Sequence, residues 1–251
     1  RLTDNGDLSK SPAWHPSGKK IAYVRSINWE PHKIVERDLL TGRETFLDPG
    51  RPGQQATPSY HPNGRELAFG LMGYNRTGLF TWNVEANCCL QHLQGGRWED
   101  LSPTFSPDGD RLAFNSNRLG AAIPQVYVTS AREGGRADLI SPYVPGKPGD
   151  YTSPDWSPTS DLVAFHGRLD RYGRYHILVA DVNERRPIVT QLTAEGNNED
   201  PSWAPDGRTI AFAYDGGGNW DIYAYNLSTE EERQITDLGS QRHPSISGDW
   251  V

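Results

Sequence analysis

The sequence is poor in cysteine, in basic excess and in long apolar runs, and each shortage removes a class of protein. Its only cysteines are Cys88 and Cys89; adjacent residues rarely bridge each other without strain, so no disulfide framework is expected. Acidic residues outnumber basic ones by 32 to 25, giving a formal net charge of -7. Phosphate binding needs a concentrated basic surface, so a nucleic-acid partner is not expected. No apolar run reaches the roughly 18 residues of a membrane-spanning helix, so no transmembrane segment is expected. The chain opens at Arg1 with neither Met nor a charged and then apolar leader, so any signal peptide is expected to have been removed or never to have been part of this sequence. No Gly-x-Ser-x-Gly elbow occurs, and Gly216-Gly217-Gly218 reads as a loop between strands, not as a phosphate cradle.

What is present is turn chemistry and aromatics: 26 Gly, 19 Pro, 8 Trp and 11 Tyr. They recur in order. Pro12, Pro58, Pro103, Pro154, Pro201 and Pro244 follow one another at intervals of 43 to 51 residues. Trp14, Tyr60, Phe105, Trp156 and Trp203 each stand two residues later, on one face of a short strand. A turn follows at Pro16-Ser17-Gly18, Pro62-Asn63-Gly64, Pro107-Asp108-Gly109, Pro158-Thr159-Ser160 and Pro205-Asp206-Gly207, where Pro presets φ and Gly accepts a positive one. Apolar strands come next, each with a small residue at its centre: Ala22, Ala68, Ala113, Ala164 and Ala211. A third and a fourth strand complete each unit, as in Trp220 to Tyr225 and Arg233 to Thr236. Such a small sheet leaves both apolar faces in water and needs a neighbour on each side.

The expected fold is therefore all-β: a single β-propeller domain over residues 1–251, with four-stranded antiparallel blades at about 11–47, 57–93, 102–140, 153–192 and 200–236. Arg1-Leu2-Thr3-Asp4 resembles the fourth-strand stretches, and His243 to Val251 resembles an opening. These ends predict a sixth blade split between residues 1–4 and 243–251 and incomplete, ring closure of this kind being a way to avoid an open edge. A five-bladed ring with dangling ends is the alternative.

Gly196-Asn197-Asn198-Glu199-Asp200-Pro201-Ser202-Trp203-Ala204-Pro205-Asp206-Gly207-Arg208, with Ile210-Ala211-Phe212 and Asp221-Ile222-Tyr223 after it, resembles the repeat of the TolB-type β-propellers. Ser102 to Phe114 repeats the likeness, which runs through nearly the whole chain. The resemblance implies a propeller, a periplasmic or otherwise extracytoplasmic location and a protein partner in the cell envelope. Similar repeats occur in propellers that cap prolyl-oligopeptidase-type serine peptidases.

In a four-stranded blade, the links between strands two and three share a rim with the links between blades. The Pro-Asp-Gly turns occupy the other rim and are short and uniform. The first rim is longer and more varied, which is where binding is expected. Its candidate contact residues are Trp29, Tyr74, Arg76, Arg118, Arg168, Arg171, Tyr172, Arg174 and Trp220. Glu99, Asp100, Asp150, Glu199, Asp200 and His243 are placed at the channel mouth. A mixed-charge mouth suits a peptide, a protein loop or a small polar ligand; as plain structure, the same acids would cap turns and the arginines would be solvated. No metal or other cofactor is expected. His166 and His176 lack a third zinc ligand, and Asp215, Asn219 and Asp221 depart from calcium-loop spacing. His15 and His61 precede turn prolines and read as turn residues. The expected function is a non-catalytic binding or scaffolding propeller with a protein or peptide partner. The alternatives are the gating propeller of a larger hydrolase and a metal-dependent enzyme acting in the channel.

Overall fold

Every proline-aromatic opening forms the first of four antiparallel strands. The computed structural model describes residues 8–27, 31–73, 77–120, 123–170, 172–184, 186–216 and 218–246. Blade one is β1 (Leu8–Trp14), β2 (Lys20–Ser26), β3 (Lys33–Asp38) and β4 (Glu44–Phe46); blade two is β5 (Gln54–Tyr60), β6 (Glu66–Met72), β7 (Thr77–Asn83) and β8 (Cys88–Gly95). Blade three is β9 (Asp100–Phe105), β10 (Arg111–Ser116), β11 (Gln125–Ser130) and β12 (Asp138–Leu139). Blade four is β13 (Asp150–Trp156), β14 (Leu162–Arg168), β15 (His176–Asp181) and β16 (Ile188–Gln191), and blade five is β17 (Asn198–Trp203), β18 (Thr209–Tyr214), β19 (Asp221–Asn226) and β20 (Glu231–Gln234). Each sheet follows chain order.

The turns take the form their residues dictate. Gly18, Gly64, Gly109 and Gly207 have φ between 64° and 78°, and each donates its N–H to the carbonyl three residues back, at 2.8 to 3.0 Å. Blade four has Ser160 in place of Gly and substitutes a Ser160 to Ser157 hydroxyl bond of 2.9 Å. His15 and His61 are turn residues, as expected: their Nδ1 atoms accept the N–H groups of Ser17 and Asn63 at 3.0 Å, and their rings meet Tyr60 and Phe105 edge-on in the next blade.

The core lies between blades. Ala22, Val24, Ile34 and Leu47 of blade one pack on Tyr60, Leu67, Phe69, Phe80 and Trp82 of blade two, and the same construction recurs at the next three junctions. Ala22, Ala68, Ala113 and Ala164 are fully buried there, which a larger side chain at the crossing would prevent. The first strands are clipped to each other. Trp203 donates its N–H to Asp155 Oδ2 at 2.7 Å and its indole N–H to the Asp155 carbonyl at 3.1 Å. Thr104 likewise accepts the N–H of Trp156 at 3.2 Å.

The residue before each repeat proline is left-handed: Ser11, Thr57, Ser102, Ser153 and Asp200 have φ between 45° and 55°. A register shift marks the bulge in every first strand. Three residues before the proline, the N–H of Gln55, Tyr151 and Asn198 binds the carbonyl of His32, Pro124 and Tyr175 in the preceding blade, at 2.8 to 3.0 Å.

Two expectations are corrected. Among the described residues there are five four-stranded sheets, not six: 243–246 carry no strand, because no described strand pairs with them, while Arg1 to Asp4 and 247–251 lie outside the described residues. Cys88 and Cys89 are joined by a disulfide. Neighbours on a regular strand point to opposite faces, but Cys89 is left-handed at φ 69°, which breaks that alternation.

Candidate functional site

Arginines near the varied links reach back onto acids of the first strands. Arg118 places Nη2 2.9 Å from Asp100 Oδ1 and its Nε donates to Ser116 Oγ at 3.0 Å. Its guanidinium lies 5.0 Å from the Phe114 ring and 4.8 Å from that of Tyr127, with Trp98 beyond. Asp100 is fully buried; burial pushes its carboxyl above the usual range, against the opposing pull of Ser116 and Arg118.

Blade four repeats the arrangement. Arg168 is 3.2 Å from Asp150 Oδ2 and stacks on Tyr175 at 4.6 Å, while the Tyr175 hydroxyl donates to the same Oδ2 at 2.7 Å. Burial, with the Asp150 carboxylate beside it, pushes that hydroxyl up to about 12. Beside blade five, Arg242 of the sixth opening stacks on Trp220 at 3.7 Å and pairs with Glu199. Three stations of acid, arginine and aromatic thus stand along one rim.

Inside them lies a second set. Asp200 Oδ1 accepts Ser153 Oγ at 3.2 Å, and Oδ2 is 2.8 Å from His243 Nδ1. The Asp200 N–H donates to His166 Nδ1 at 2.9 Å. Burial lowers His166 to about 4 despite the acids nearby, so at neutral pH it is an acceptor and not a counter-ion. The close Asp200 carboxylate raises His243. For Asp200 burial acts upward and is outweighed by these partners, so its carboxyl sits below the usual range; with His166 neutral, His243 is the partner that matters.

Of the sequence-derived contact residues, Arg118, Arg168 and Trp220 are thus held in stacks, and Tyr172 and Arg174 are exposed. Trp29, Tyr74, Arg76 and Arg171 lie outside the described residues. Of the residues expected at the channel mouth, Asp100, Asp150, Glu199, Asp200 and His243 are all paired, and exposed Glu99 donates its N–H to Asn117 Oδ1. Asp215 is taken up by Asn197, whose N–H and amide bind its two oxygens at 2.6 and 2.8 Å. Among the described residues no group of three or more His, Cys, Asp or Glu is arranged to hold a metal. Sequence reasoning missed Tyr175, Arg242 and the role of His166. The repeat itself carried part of the signal, since Asp200 and His243, like Glu199 and Arg242, occupy equal positions in successive openings and end up side by side. It also missed an apolar set on the same rim: Leu119, Tyr143, Val144, Leu169 and Leu238 are exposed along with Tyr172, which is 93% exposed.

Residues 1–143 match the family described as the TolB beta propeller domain. The chain belongs to that family. Residues 165–251 also match the dipeptidyl peptidase IV N-terminal region. A TolB homolog of Chlorobium chlorochromatii is 34% identical over 120 residues, covering 47% of this chain and 26% of that protein. The Tol-Pal system protein TolB of Francisella tularensis is 25% identical over 201 residues, covering 78% and 44%. The chain therefore spans less than half the length of either relative. Its fold is shared with TolB from Acinetobacter baumannii, at a TM-score of 0.78 and 23% identity over 98% of this chain and 59% of that one. A puromycin-hydrolyzing peptidase of Mycobacterium tuberculosis shares it at 0.68 and 16%, over 97% and 38%.

Proposed function

We propose that this propeller is a non-catalytic module that binds a protein or peptide on its varied rim, outside the cytoplasm in the cell envelope. The observation that carries the reading is the exposure of Leu119, Tyr143, Val144, Leu169, Tyr172 and Leu238 on links that share a rim with the three arginine stations. Apolar anchors surrounded by polar groups are the composition of a docking face. Membership of the TolB propeller family, together with the sequence likeness to a Tol-Pal system protein, supports an envelope setting. The test is capture from envelope extract with the whole chain as bait and with Leu169, Tyr172 and Arg174 changed together to Ala. A specific partner should be lost with the variant; undiminished capture would remove this rim from consideration.

We read residues 1–251 as one domain with six stations. Two features of the openings recur at the sixth proline: His243 is left-handed at φ 54°, and Gln241 donates its N–H to the Trp220 carbonyl at 2.7 Å. Blade one also keeps an apolar face, Ile21, Tyr23 and Val35 with Trp14, built like the face of blade two that packs on its predecessor. The second reading, a gating propeller of a larger hydrolase, is favoured by the match of residues 165–251. An α/β-hydrolase segment in the same reading frame would establish it. For the third reading, a metal-dependent enzyme in the channel, His166 offers only Nε2, since its Nδ1 accepts the Asp200 N–H.

A further inference from the structure

The link from strand three to strand four carries one left-handed residue in four blades, Gly42, Asn87, Gly134 and Glu230. Blade two adds a second just inside β8, Cys89. There the register passes from Thr81↔Gln91 to Asn83↔Cys88, so that Cys89 and Leu90 together oppose Trp82. A bulge of this kind favours Gly at its left-handed position; a residue with a Cβ is destabilised there, and cysteine lacks the short amide or carboxylate that lets Asn and Asp tolerate it. Glu230 and the residues before the repeat prolines are left-handed without a ring; Cys89 differs from them in its bond to Cys88, a ring that constrains its backbone. The pair lies at the outer edge of the blade, with Cys89 exposed and Cys88 partly so.

We propose that Cys88–Cys89 is a thiol–disulfide exchange site for a dithiol reductant, and that its reduction releases the bulge at the start of β8. A thiolate of the dithiol attacks exposed Cys89 Sγ, forming a mixed disulfide while the bond to Cys88 Sγ breaks and Cys88 leaves as a thiolate that takes a proton. The second thiol of the reductant then attacks its own partner sulfur, closing the reductant's disulfide and freeing Cys89, which is protonated in turn. Two electrons and two protons pass to the pair. Cys89 then returns to extended backbone, and the change stays local, because buried Leu93 anchors the rest of β8 between blades two and three.

The test uses the whole chain purified in air, alkylated under native conditions with iodoacetamide before and after dithiothreitol and mapped by peptide mass. Both cysteines should be unmodified before reduction and both modified after it. Amide exchange over residues 88–91 should become about tenfold faster on reduction, the factor set by freeing one left-handed residue. A variant carrying Cys88→Ser and Cys89→Gly keeps a bulge that Gly adopts without the ring, and its exchange should not respond to the reductant. Alkylation of both thiols before reduction would overturn the exchange site, and unchanged exchange in the reduced native chain would overturn the release of the bulge.

Discussion

Replacing Asp155 by Asn should change the pH dependence of stability in a calculable way. The carboxyl bridges two blades, and burial raises it from 3.8 to about 6, only partly opposed by the N–H groups of Trp203 and Trp156 and the Thr104 hydroxyl. A shift of about two units corresponds to about 3 kcal/mol between the two protonation states. Between these two values the folded protein holds a proton that the unfolded chain has lost. This group's contribution to stability therefore falls as pH rises from about 4 to about 6, and is constant above that. Asn cannot ionise, yet keeps an oxygen for the Trp203 N–H that Asp155 accepts at 2.7 Å. The variant should accordingly gain about 3 kcal/mol on the native chain across that window. Other titrating groups, His166 among them, are common to both chains and cancel in the difference. Urea unfolding followed by tryptophan fluorescence, repeated from about pH 4 to about pH 7, measures it. Stability curves that stay parallel within about 0.5 kcal/mol would refute the reasoning.

Two further predictions rest on packing and charge. Trp203→Ala removes a buried indole from the junction of blades four and five and should cost about 3 to 5 kcal/mol; a loss below about 0.5 kcal/mol in the same urea assay would mean the junction is not built as described. Arg118→Met keeps much of the stacked length but strips fully buried Asp100 of its ion partner. It should cost about 3 to 5 kcal/mol, and most of that should return when Asp100→Asn is added, as a double-mutant cycle will show.

The parts of the fold legible in the sequence are those fixed within a few residues. Pro107-Asp108-Gly109 predicts its own turn, and the spacing from Pro201 to Trp203 predicts which side chain enters the core. The left-handed residue before each proline was not legible, because it follows from how one first strand meets the next and not from the local sequence. For the same reason Arg118 and Arg168 read as rim residues open to a partner, whereas the acids they pair with, Asp100 and Asp150, stand at the start of the first strand of their own blades, 18 positions earlier. Sequence spacing alone does not show that strands one and two bring those positions together. The Cys88 to Cys89 bond depended on one φ angle, which the rule for regular strands misjudged. Among the described residues the sixth station has an opening but no sheet, so counting prolines gave six where counting sheets gives five.

The blade-to-blade bonds from Gln55, Tyr151, Asn198 and Gln241 all end on a carbonyl at the far end of a strand-two-to-strand-three loop: His32, Pro124, Tyr175 and Trp220. Each such loop is thereby tethered at its exit by the neighbouring blade, while its middle is free to differ in length and chemistry. The rim can be treated as a set of exchangeable cassettes on a common frame. Grafting a foreign recognition loop between fixed ends, for example between Arg168 and Tyr175, should change what the surface displays without retuning the blades beneath it.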